Sequence, residues 1–298
     1  MKIRHLLLAI TFLPTTSPGQ PADLSFPEKG RLVVLHLSSA PFPHPQRTEG
    51  HVYNQLFFSA KDHYSDNAVA VFIPENYAAN GQVDIVVHFH GWYNNIDTVL
   101  ARYRLIDQFV ASGKNAILIV PQGPKNAPDS FGGKLEDQDG FAHFISEALD
   151  SLADRSLIST RRPGSIILSG HSGGYHVMSF ILMHGGLTDH IKEVYLFDAL
   201  YGQTEKFVHW LESEHGKMID IYTEDGGTKE QSEQLVAEAA AWKIPYRSRV
   251  EQELLPGDLE AGGVIAIFTP LQHDQVVQAH ASFQTFLRAS SLQQISVR

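Results

Sequence analysis

The sequence predicts an α/β fold, a mostly parallel sheet with helices on both faces, and three observations carry that expectation. Apolar runs of strand length alternate with helix-length amphipathic segments from Val83 onward. The runs are almost unbroken Val, Ile, Leu and Phe, as strands buried on both faces require. One of them, Ile166-Ile167-Leu168-Ser169, leads through Gly170-His171-Ser172-Gly173-Gly174 directly into a helix-like segment at 175–184. Strands that alternate with helices pair in parallel, with the helices packed back on the sheet.

The elements follow in order. Residues 1–19 read as a signal peptide: Lys2 and Arg4, an apolar stretch from Leu6 to Leu13, then small residues Ser17 and Gly19 before a cut at Gln20. The proline-rich segment 21–45 reads as extended around a strand at 31–37. A strand pair is expected at 51–59 and 68–73, closed by Pro74. A strand at 83–89 precedes a helix at 96–111, whose apolar spacing stops at Gly113. A strand at 116–120 ends at Pro121 and opens a polar loop to Asp139, long enough to suggest a functional role. A helix at 141–152 and the strand at 165–169 lead to the Gly-x-Ser-x-Gly turn. Beyond it come strands at 193–197, 218–222 and 264–268, with helices at 205–214, 229–242 and 275–289. The leading strands lack helices between them, which predicts an antiparallel edge. No repeat or linker divides the chain, so residues 20–298 are expected to form a single domain.

Composition narrows the function. With 298 residues and 43% hydrophobic content, the chain can bury a full core. Its net charge is −10, and loss of Lys2 and Arg4 with the leader makes it −12. That acidic balance, without a basic cluster, argues against a nucleic-acid partner. No apolar run is long enough for a membrane span. The absence of cysteine rules out disulfides, thiol catalysis and thiolate metal sites. Oligomeric state leaves no mark in the sequence.

Gly170-His171-Ser172-Gly173-Gly174, set between a strand and a helix, has the layout of a nucleophile elbow. Its tight turn lifts a serine above the sheet and needs glycines where a Cβ would strike the neighbouring backbone. With Val87-His88-Phe89-His90-Gly91-Trp92 upstream, the chain resembles the α/β-hydrolases of the serine esterase and lipase type over roughly residues 31–289. The resemblance implies an eight-stranded, mostly parallel sheet with the site at the carboxyl ends of the strands. It also implies the chain order serine, acid, histidine, and neither metal nor organic cofactor. Ser172 then matches the nucleophile, and His273, after the last strand, matches the base. His280, seven residues on, is the rival and falls in the expected final helix. Asp198, at the end of 193–197, matches the acid, with Asp225 and Glu224 open as alternatives. Gly173 and Trp92 match the backbone oxyanion donors, His90-Gly91 being the family's His-Gly pair.

Trp92 and Tyr93 are expected at the mouth as substrate-binding residues, with Ser130, Phe131 and Lys134 as candidate wall residues. His88 and His90 share one face as an H-x-H pair, but a histidine bonded to backbone beside the site is the plainer role for His88. Only some twenty residues separate the strand ending at Asp198 from the next, so no large cap domain fits there. An open site suits a bulky, polymer-borne or small-molecule ester. A peptidase or amidase on the same triad, or a non-catalytic binding protein of the same fold, remains the alternative.

Overall fold

The computed structural model describes residues 23–26, 29–78, 80–255 and 257–295. The leader expected at 1–19 lies outside the described residues. Among the described residues the strands are β1 (Asp23–Phe26), β2 (Gly30–His36), β3 (His51–Tyr53), β4 (Leu56–Phe58), β5 (Ala68–Pro74), β6 (Val83–Phe89), β7 (Ile117–Pro121), β8 (Pro163–His171), β9 (Ile191–Phe197), β10 (Lys217–Thr223), β11 (Tyr246–Val250) and β12 (Gly263–Thr269). The helices are α1 (Ala60–His63), α2 (Ile96–Arg102), α3 (Leu105–Ser112), α4 (Gly140–Asp154), α5 (Tyr175–His184), α6 (Thr204–Glu214), α7 (Lys229–Ala241) and α8 (Ser282–Arg288).

Ten strands form one sheet in the order β1-β2-β5-β7-β6-β8-β9-β10-β12-β11. β6 through β12 run parallel, while β1, β2 and β5 form the expected antiparallel edge. Alternate residues of each central strand enter opposite cores. Val83, Ile85 and Val87 of β6 face α4 to α7, whereas Val86 faces α2, α3 and α8. Each large aliphatic side chain buried this way contributes about 1.5–3 kcal/mol, which makes the central strands a rigid frame for the loops at their carboxyl ends.

The sheet has ten strands rather than the expected eight, because both edges carry an extra one. β1 pairs with β2 inside the segment read as merely extended. β11 escaped notice because Tyr246-Arg247-Ser248-Arg249-Val250 is largely exposed, and both arginines turn aside to Asp258. The pair expected between 51–59 and 68–73 does not form. Asn54 and Gln55 both adopt positive φ (47° and 65°), folding His51–Phe58 back on itself as a separate β3–β4 hairpin. β5 pairs instead with β2 and β7.

The single helix expected at 96–111 is two helices. The chain breaks at Arg104 (φ 49°), where Tyr103 turns fully inward. The final helix is shorter than expected, since His280 and Ala281 (φ 55° and 53°) leave only Ser282–Arg288 in α-geometry.

Candidate active site

Ser172 sits where β8 passes into α5, at φ 54°, a left-handed backbone that costs energy for a residue with a Cβ. The packing leaves no room for a side chain on Gly174 of the turn or on Gly91 of the facing β6 loop. A Cβ on Gly174 would lie 2.7 Å from the Phe89 carbonyl oxygen, and one on Gly91 would lie 2.5 Å from Ser172 Cβ. The strand-end loops of β6, β8, β9 and β12 converge there around a pocket of about 430 Å³. Ser172, Gly173, His273, Trp92, Tyr93, Ser130, Tyr175 and Tyr201 are among its lining residues.

His273 enters from the loop after β12. Its Nδ1 lies 2.7 Å from Asp198 Oδ2, and its side chain is 30% exposed against 0% for the aspartate. Asp198 is fully buried at the end of β9 and also accepts from the Thr223 amide (3.1 Å), the Thr223 hydroxyl (2.9 Å) and the Thr228 hydroxyl. Burial alone would push this carboxyl up. The bonds from His273, Thr228 and Thr223 outweigh it, so Asp198 stays below the usual carboxylate range. Glu224 instead pairs with Lys229 on the surface, and Asp225 is exposed beside it. The structure brings Asp198, and neither alternative, to His273. His280 points elsewhere, to Glu251 at 2.9 Å.

The orientation of His273 is set from below by a residue not singled out from the sequence. His171 is buried, with Nε2 3.0 Å from the His273 carbonyl oxygen and Nδ1 3.1 Å from the Tyr103 hydroxyl. Its ring lies 4.5 Å from the His273 ring. Burial, helped by the neighbouring His273, pushes the His171 pKa down to about 4, so it is neutral and donates one proton to that carbonyl. The inward turn of Tyr103 that splits the α2–α3 segment therefore reaches the site. Tyr201 was also missed: its hydroxyl donates to the Gly226 carbonyl at 2.6 Å and meets the Ser172 hydroxyl. Among the described residues no hydrogen bond joins Ser172 to His273, and the Ser172 side chain faces the Tyr201 hydroxyl. Catalytic hydrogen bonds are often long without substrate and tighten when it binds.

His90 works on the other side of Ser172. Its Nε2 accepts from the Gly123 amide (3.0 Å), which leaves Nδ1 to donate to the Gly91 carbonyl (2.9 Å). A trans peptide directs its N–H opposite its C=O, so pinning the Gly91 carbonyl aims the Trp92 amide away from His90. No protein acceptor takes that amide among the described residues. Gly173 is the second residue of the 3-10 turn Ser172–Gly174, where first-turn amides lack helical partners. His88 is fully buried with Nδ1 on Ser169 Oγ at 2.9 Å.

The mouth is aromatic. Tyr53 of the β3–β4 hairpin packs edge-on against Trp92 at 5.1 Å, and Phe58 approaches Tyr93 at 6.4 Å. Of the three wall residues expected in the long loop, only Ser130 lines the pocket. Phe131 lies under Arg47 (4.6 Å) and Lys134 reaches the Ser38 carbonyl (2.7 Å), because both anchor the loop to the N-terminal segment. Only α6 lies between β9 and β10, so that connection carries no cap domain.

No protein-family signature and no curated protein sequence matches the chain. Solved structures do. The feruloyl esterase module from Clostridium thermocellum, complexed with sinapinate, aligns with a TM-score of 0.56 and 12% identity over 93% of this chain and 96% of that one. An S-formylglutathione hydrolase from Agrobacterium tumefaciens gives 0.54 and 10% over 92% and 100%. FphF, a fluorophosphonate-binding serine hydrolase of Staphylococcus aureus, gives 0.51 and 10% over 91% and 99%. The polypeptide has the α/β-hydrolase fold, with its candidate site at the carboxyl ends of the parallel strands.

Proposed function

We propose that the protein is an exported serine hydrolase that cleaves carboxylic esters through an acyl-enzyme. The observation that carries this reading is the Nδ1 bond of His273 to buried Asp198, beside the elbow that holds Ser172 at the same pocket. With Nδ1 protonated toward Asp198, the free Nε2 is the basic nitrogen of His273. When substrate binds, His273 takes the Ser172 proton as Oγ attacks the acyl carbon, and then gives it to the departing alcohol. The Gly173 and Trp92 amides hold the oxyanion. Water repeats the cycle and releases the acid. Asp198 fixes the tautomer and stabilises the imidazolium without taking the proton. These steps use side chains and backbone alone.

The aromatic rim of Trp92, Tyr93, Tyr175 and Tyr201 supports an aryl or other flat acyl group. Feruloyl esterase and S-formylglutathione hydrolase neighbours support ester over amide chemistry. The test is turnover of short-chain aryl esters against peptide anilides. Ester turnover that disappears in Ser172→Ala supports the reading, whereas preferred cleavage of the anilides would make the protein a peptidase.

A further inference from the structure

The second variable position of the Gly-x-Ser-x-Gly turn is itself glycine, which the motif does not demand. Its side-chain space is already occupied. A Cβ on Gly173 would lie 2.5 Å from Ser130 Oγ and 2.9 Å from Trp92 Cδ1. Trp92 Nε1 donates to Ser130 Oγ at 2.7 Å. A serine hydroxyl carries one proton and accepts through its lone pairs. Because Ser130 accepts from the indole, its own proton is left over, and no protein acceptor takes it among the described residues. The hydroxyl lines the pocket with Ser172 and Gly173. Its loop is held from behind, since the Phe131 amide donates to Asp129 (3.0 Å) and Asp129 pairs with Arg47 (2.7 Å).

We propose that Ser130 is a third, side-chain donor to the substrate carbonyl oxygen as it becomes the oxyanion, and that the Trp92 indole N–H positions it. This rests on the ester-hydrolase reading above. No covalent bond changes at Ser130: its proton stays on Oγ while the oxyanion forms and collapses. Ser130 is a catalytic residue in this scheme, and the Trp92 side chain is a positioning residue, separate from the Trp92 amide. Both can be removed by substitution, unlike the two backbone donors.

The test compares wild type, Ser130→Ala, Ser130→Thr, Trp92→Phe and Ser172→Ala in the full-length protein. The measurements are kcat and KM on a short-chain aryl ester, and the affinities of an aryl boronic acid and of the carboxylate product. A boronic acid forms a tetrahedral adduct on serine that mimics the oxyanion, and the product does not. Ser130→Ala is expected to lower kcat by about 10²-fold, the loss typical of one oxyanion donor. KM and product affinity should stay near wild type, while boronate affinity falls in parallel with kcat. Ser130→Thr should recover most of the rate, and Trp92→Phe should lower kcat with the same KM pattern. Unchanged kcat in Ser130→Ala, or a rise in KM alone, would overturn the proposal. Should Ser130→Ala fail to fold, an unchanged kcat in Trp92→Phe overturns it instead. Full turnover in Ser172→Ala would sink the underlying reading, whereas an inert Ser172→Ala beside a fully active Ser130→Ala sinks only this inference.

Discussion

Gly226 offers a way to disturb Asp198 without touching a residue of the proposed triad. A Cβ at Gly226 would stand 1.9 Å from Asp198 Oδ2 and 2.4 Å from Thr223 Oγ1, where ordinary contact begins at 3.4 Å. The backbone there is not left-handed, so Gly226→Ala carries no strain of its own and acts only through this clash. Relief requires a movement of about 1.5 Å by the carboxylate or the turn, and a misplacement of about 1 Å at a catalytic group already costs ~10²-fold. The Asp198–His273 bond is 2.7 Å, so such a shift breaks it. Gly226→Ala should therefore lose at least ~10² in kcat/KM, about 2.7 kcal/mol of transition-state stabilisation. Overpacking costs about 1–3 kcal/mol in stability, so the variant should still fold, with a lowered Tm. Aryl-ester kinetics and a melting curve measure both, with exposed Asp225→Ala as a control expected to stay near wild type. Gly226→Ala with wild-type kcat/KM would refute the assignment of Asp198 as the acid.

Other substitutions test other parts of the account. Gly91→Ala would set a Cβ 2.5 Å from Ser172 Cβ, so the rate of Ser172 phosphonylation should drop by about 10² or more. His171 titrates at about 4 in the fold and His88 at about 3, against 6.5 for a free histidine, burial being the main cause. Between pH 6.5 and 4 the unfolded chain binds protons that these rings refuse, so stability is present above 6.5 and is lost on acidification. Tm should fall across that window, and less steeply in His171→Asn. Asp220 runs the other way: full burial, helped by the nearby Asp198 charge, raises it to about 7 despite the Ser232 hydroxyl beside it. From about pH 4 to 7 the fold keeps a proton that the unfolded chain releases, so this group's contribution falls as pH rises. Asp220→Asn should abolish that decline in a melting series across the same range.

Much of the architecture was legible in the sequence because central parallel strands are apolar on both faces. β6, β8, β9, β10 and β12 fall within two or three residues of their expected ends. Edges were harder to read. β11 alternates arginine with serine, and its arginines answer to Asp258, so no hydrophobic period marks it. The β3–β4 hairpin depends on left-handed Asn54 and Gln55, and glutamine gives no turn signal. In the candidate site, motif and topology point to Ser172 and His273, and both line the same pocket. The contacts of Tyr103, His171 and Tyr201 span 68 positions (Tyr103 to His171), 102 (His171 to His273) and 25 (Tyr201 to Gly226) of sequence, which no local pattern encodes. The sequence places the side chain of Trp92 at the mouth as a substrate-binding residue, whereas its bond to Ser130 is a long-range contact that no local pattern shows.

The most direct test of the central claim is covalent labelling of the full-length protein with a fluorophosphonate, followed by intact-mass measurement and peptide mapping. The account predicts one adduct, on the peptide that carries Ser172, formed rapidly in wild type and absent from Ser172→Ala. Slow labelling in His273→Ala and in Gly226→Ala should accompany it. No adduct on folded wild type, or an equal adduct on Ser172→Ala, would contradict the assignment of Ser172 as the nucleophile.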